Sequence, residues 1–110
     1  MASEQFTYRF TKVAEADIDE TLSYITNRLG NPDAATDFAD ELEEKLGKLC
    51  KSPKTGKLVE NEFLVRRDVR RILVKNYIAY YVLDERSHSI VVLRVVYGRR
   101  NQDNIVGGIT

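Results

Sequence analysis

Apolar and polar residues change their rhythm along this chain, and each change marks an element. Phe6, Tyr8 and Phe10 alternate with Thr7 and Arg9, the period of a strand. From Thr11, which is suited to cap a helix, the period lengthens. Ala14, Ile18, Leu22, Ile25 and Leu29 then form one stripe, and Gly30 ends it. Asn31-Pro32 restarts the helical rhythm, with asparagine at the cap and proline where its missing N–H costs nothing. Ala35, Phe38, Leu42, Leu46 and Leu49 share one face of this second helix. So tight a turn makes the two helices an antiparallel hairpin with both stripes facing a sheet. Ser52-Pro53-Lys54-Thr55-Gly56-Lys57 reads as a loop. Leu58 to Asp68 is ambiguous, with a short strand placed around Phe63-Leu64-Val65. Three strands follow: Arg70 to Lys75, Tyr77 to Leu83 and Ile90 to Tyr97, the last two joined by the polar loop Asp84 to Ser89. Those two are continuously apolar, which places them centrally with both faces covered. From Asn101 the periodicity fades and Gly107-Gly108 suggests a loose tail.

Strand, helix, helix and then three or four strands make an α+β fold, a helical hairpin on one face of a curled, mainly antiparallel sheet. At 110 residues, 43% of them hydrophobic, the chain is expected to be a single domain, 1–110, with a small core. No apolar run reaches membrane-spanning length, and MASEQFTYRF has no basic stretch leading into an apolar one. A membrane partner and a secretory leader are therefore not expected. The single cysteine, Cys50, rules out an internal disulfide, suits a reducing cytoplasm and reads as a small packing residue.

Charge adds something the zero net value hides. Eleven acids and six bases up to Lys51 leave the first half at −5, whereas six acids and eleven bases beyond it leave +5. Such a dipole orients a molecule on a polyanion with its second half inward, although two solvated helices beside a sheet would also produce it. Arginines enter the strand region at Arg66, Arg67, Arg70 and Arg71 and leave it at Arg99-Arg100. On a strand Arg70 and Arg71 point to opposite faces, one available for a helix acid and the other for a partner. Lys75 shares parity with Arg71 and extends a cationic strip.

The order of elements and several motifs resemble the RelE/ParE superfamily of bacterial type II toxin–antitoxin toxins, over about residues 6 to 101. The first helix carries A-x-x-D-I-x-x-x-x-x-Y-I from Ala14 to Ile25, with Ala16 and Asp19 near Ile18 and Tyr24-Ile25 at its end. Ala34-Ala35 with Phe38, Leu42 and Leu49 is similar to the family's second helix, and Ser52-Pro53 with Gly56 to its loop. The most extended match is R-R-I-L-V-x-N-Y-I-x-Y-Y-V…I-x-V-L-R-V-V-Y-G-R-R, from Arg70 to Arg100. The resemblance implies a growth-inhibiting protein held inactive by a cognate antitoxin that lies across the sheet and hairpin. The free chain would then expose apolar grooves. ParE-like members poison DNA gyrase; RelE-like members cut messenger RNA in the ribosomal A site; a degenerate relative would only bind its antitoxin. A homodimer and a hetero-oligomer with antitoxin both stay open.

Metal-free RNA cleavage needs an activated 2′-hydroxyl, positive charge on the phosphoryl oxygens and a proton for the leaving oxygen. Arg100 matches the family's arginine after the last strand, and Arg71 and Lys75 are the accompanying candidates if the chain is a nuclease. Two departures favour a protein target. RelE-like nucleases have an arginine where Ile78 follows Tyr77, and a late tyrosine near Val106. His88 has the intrinsic pKa of a general base but sits in a polar turn. Glu60 and Glu62 are the carboxylate alternatives, against plain surface placement. Tyr77, Tyr80 and Tyr81 read as strand core before base-stacking platforms. No cofactor is implied: one cysteine and one histidine make no zinc cage, and Gly98-Arg99-Arg100 is no phosphate loop.

Overall fold

The computed structural model describes residues 5 to 110; the first four, where the leader reading begins, lie outside the described residues. Strand β1 (Thr7–Phe10) leads into α1 (Lys12–Ser23), whose last turn widens into a π-helical segment, Tyr24–Arg28. The hairpin is completed by α2 (Pro32–Lys51), and β2 (Lys57–Leu58), β3 (Arg70–Val74), β4 (Tyr77–Asp84), β5 (Ser89–Tyr97) and α3 (Gln102–Gly107) follow. The caps read from sequence are made. Thr11 Oγ1 accepts from the Ala14 N–H at 3.1 Å, and Asn31 Oδ1 from that of Ala34 at 3.0 Å. Gly30 takes the left-handed φ of 61° that separates the helices.

The five strands pair in the order β1-β5-β4-β3-β2. β1 runs parallel to β5, Thr7 opposite Ser89 and Phe10 opposite Val92, and all other pairs are antiparallel. Phe38, Leu42, Leu46 and Leu49 of α2 pack with Ala14 and Ile25 on Val74, Ala79, Tyr81, Ile90, Val92 and Val95. Each of the Leu, Ile, Val and Phe side chains fully buried there contributes about 1.5–3 kcal/mol. The other face is covered too. Ile78, Tyr80, Val82, Val91 and Val96 meet Leu64, Val69, Ile105, Val106 and Ile109. The continuous apolar character of β4 and β5 follows from this double burial.

Several expectations change. The tail from 101 is not loose: Asn101 caps α3 through the Asn104 N–H at 3.3 Å, and Ile105, Val106 and Ile109 are buried. Phe63-Leu64-Val65 is a turn, not a strand. Asn61 accepts from the N–H groups of Phe63 and Leu64, so Leu64 alone enters the core while Phe63 and Val65 stay exposed. That in–out alternation imitates a strand. Leu29 leaves the helical stripe because the π turn, with the Leu29 N–H bonding to Tyr24 O at 3.1 Å, shifts its phase.

One irregularity re-aims β5. Tyr80 pairs with Arg94 but Tyr81 with Val92, so Leu93 is an extra residue and a bulge. Before it Ile90 and Val92 face the helices; after it Val95 does. The edge left unpaired there is closed by α1. Thr11 Oγ1 donates to Leu93 O at 3.2 Å, and Asp17 accepts from the Val95 N–H at 3.0 Å and from Arg94 Nε at 2.7 Å and Nη2 at 3.0 Å.

Candidate functional site

The turn between β3 and β4 and the exit from β5 meet at one end of the sheet, tied by the Gly98 N–H on Asn76 O at 2.8 Å. Lys75 occupies that turn with φ of 57°, a left-handed conformation that favours glycine. The turn ends the strand's alternation and carries Lys75 off the Arg71 face. Lys75 instead lines a groove of about 780 Å³ between the sheet end and the helical hairpin, and Arg100 lines the same groove. Residues 25 apart in sequence thus come to one cleft. Among the described residues neither base forms an ion pair.

The groove floor is aromatic. The Tyr77 ring lies 4.9 Å from that of Phe38 and 5.5 Å, edge-on, from that of Tyr97. Burial pushes the Tyr77 phenol above its ordinary pKa, against the opposing pull of a hydrogen bond with Thr21, so it stays neutral. Tyr24 and Leu29, 47% and 58% exposed, form the lip on the hairpin side; the π turn places them there. Asp17, Glu20 and Asp37 supply carboxylates along the helical wall. An apolar, mixed-charge cleft suits a macromolecular segment with side chains of both signs. A run of phosphates would meet those carboxylates.

The other candidates disperse. Arg71 lies on the opposite sheet face, cross-strand from Lys57 and beside Tyr80, and is not part of the groove. The expected strip of Arg71 and Lys75 is therefore absent. Arg70 holds backbone carbonyls, Lys54 O at 3.1 Å and Gly56 O at 2.8 Å, rather than a helix acid. Arg66 pairs locally with Asp68 at 2.7 Å. His88 is at the far end of β4, stacked on Phe6 at 5.2 Å. Glu60 and Glu62 are exposed on the loop before β3. Tyr80 and Tyr81 are core, 2% and 0% exposed, and only Tyr77 of the three reaches the groove. Ile78 and Val106, at 6% and 1% exposure, are both buried in the apolar layer behind the sheet.

Sequence reasoning missed the Asp17–Arg94 pair, having attended to Asp19, which is exposed. The signal was available, since Asp17 falls on the sheet-facing side of α1 between Ala14 and Ile18. Among the described residues no helix is long and apolar enough to cross a membrane, and no three metal-ligating side chains converge.

Residues 8–102 match the family model of the ParE toxin of the type II toxin–antitoxin system, parDE. No curated protein matches the chain. The fold is similar to that in the chromosomal ParDE toxin–antitoxin system from P. aeruginosa, with a TM-score of 0.65 and 18% identity over 86% of this chain and 98% of that one. It is also similar to that in the RelBE2 toxin–antitoxin complex from Mycobacterium tuberculosis, with a TM-score of 0.60 and 23% identity over 84% of this chain and 98% of that one.

Proposed function

Since the chain belongs to the ParE toxin family of type II toxin–antitoxin systems, we propose that it arrests growth in the cytoplasm by binding a protein target, DNA gyrase, through the groove, and that a cognate antitoxin holds it inactive. One observation carries the choice of target. At Ile78 and near Val106, where RelE-like nucleases bear an arginine and a tyrosine, this chain has apolar side chains sealed behind the sheet. An arginine at 78 would bury an unpaired charge there, and neither position reaches the groove. The mixed charge of the cleft supports a protein segment as occupant, and the two similar structures described above are toxin–antitoxin assemblies, which supports the antitoxin.

A second reading has an observation of its own. Lys75 and Arg100 share the groove without ion pairs among the described residues, an arrangement suited to a phosphate. Under that reading the chain is a ribosome-dependent mRNA endoribonuclease. Mapping transcript ends after expression separates the two. The expected result is growth arrest with transcripts whole. Messages cut within codons, with both cutting and arrest lost in Arg100→Ala, would replace the gyrase reading by the nuclease. Undiminished growth would leave a relative that only binds antitoxin.

A further inference from the structure

We infer that Gln102 is a positioning residue for the groove: it holds the turn that presents Tyr97 and Arg100, although it stands on the opposite side of the sheet end. The inference rests on the groove being the surface through which the chain acts. Gln102 Nε2 donates to Arg100 O at 2.9 Å, Tyr97 O at 3.2 Å and Gly98 O at 3.3 Å. Its Oε1 accepts from the Tyr80 hydroxyl at 2.6 Å. A reversed amide would set its oxygen against three carbonyls, so only this orientation works.

Tyr80 fixes the orientation. Its side chain is 2% exposed between the sheet and α3, and burial keeps the phenol protonated and able to donate. Val106, 1% exposed, fixes the position of the helix that Gln102 begins. Among the described residues, the turn's other hydrogen bonds are that of the Arg100 N–H on Tyr97 O at 3.0 Å and that of the Gly98 N–H on Asn76 O. The second of these also ties Gly98 to Lys75's turn, so the segment that carries Arg100 is held by the β3–β4 hairpin on one side and by Gln102 on the other. A carbonyl that loses its donor in a turn lets the turn move, and a small displacement of a contact residue weakens binding steeply.

The test uses the full chain and three variants. Gln102→Met keeps length and volume but removes the donors and the acceptor. Tyr80→Phe leaves the donors but unlocks the amide. Ile105→Val thins the rear core and touches no hydrogen bond of the turn. Amide exchange at Gly98 and Arg100 should rise at least about tenfold in Gln102→Met, less in Tyr80→Phe, and stay within about twofold in Ile105→Val despite its lower Tm. The concentration giving half-inhibition of gyrase supercoiling should rise roughly tenfold in Gln102→Met and stay near wild type in Ile105→Val. Unchanged exchange in Gln102→Met overturns the inference, as does an equal rise in Ile105→Val at matched loss of stability. If the wild-type chain leaves supercoiling untouched, the gyrase reading fails while the exchange arm still decides the role of Gln102.

Discussion

Replacing Asp17 with alanine is expected to cost about 3 kcal/mol of stability, a fall of roughly 10 to 20 °C in Tm. Three hydrogen bonds end on this carboxylate, two from Arg94 and one from the Val95 N–H. The pair is largely out of water, with side chains 22% and 13% exposed for Arg94 and Asp17. Removing the acid leaves a guanidinium without its partner and the Val95 N–H without an acceptor, and both penalties fall on the folded state. Arg94→Met should cost less, because Asp17 keeps the Val95 bond and the thioether packs where the charge stood. The double variant Asp17→Ala, Arg94→Met should lose less than the two singles added, since the second change removes the stranded charge. Urea unfolding of the four proteins measures this. Strict additivity, or a single-variant loss below about 1 kcal/mol, would mean that the clamp does not hold β5 against α1.

Gly56→Ala should be similarly severe, and Gly47→Ala should act in the opposite direction. At Gly56 the backbone is extended, φ −66°, and accessible to any residue, so the constraint is space. A Cβ there would fall on the Tyr81 hydroxyl, 2.7 Å from Tyr81 Cε1 and 2.9 Å from Arg71 O. Tyr81 cannot yield. Its ring is fully buried, and its hydroxyl accepts from the Gly56 N–H at 2.9 Å and donates to Pro53 O at 2.9 Å. The methyl group would therefore push the loop and β2 off β3, at about 3 kcal/mol. Gly47 lies within α2 with nothing near its missing Cβ. Alanine there should add about 0.5–1 kcal/mol by lowering the entropy lost on folding. Thermal unfolding of both variants shows the sign of each change, and a Gly56→Ala protein as stable as wild type would contradict the close-packed loop.

The local code for the hairpin was legible. Thr11, Gly30 and Asn31-Pro32 each act where cap and turn chemistry place them, and the α2 stripe is the buried one. The four-residue spacing failed at Leu29 because a π turn cannot be seen in a periodicity. Parity failed at Lys75, where the left-handed turn inserts a change of direction that alternation does not record. The tail read as loose because two glycines outweighed Ile105, Val106 and Ile109, whose burial depends on a sheet face that only the tertiary fold creates.

Of the candidate site, Lys75 and Arg100 were legible as bases at strand ends, and Arg71 was grouped with them by parity alone. The aromatic floor was visible as residues and hidden as a surface, because Phe38, Tyr77 and Tyr97 come from three elements. Gln102 was beyond reach: its role depends on three carbonyls and a tyrosine hydroxyl brought together by the packing of α3.

The proposed function stands or falls on what the groove engages. Purified chain added to a DNA gyrase supercoiling reaction should stop the introduction of supercoils, and Tyr97→Ala or Arg100→Ala should relieve that inhibition. Supercoiling that proceeds unchanged at saturating concentrations of folded, growth-arresting chain would contradict it.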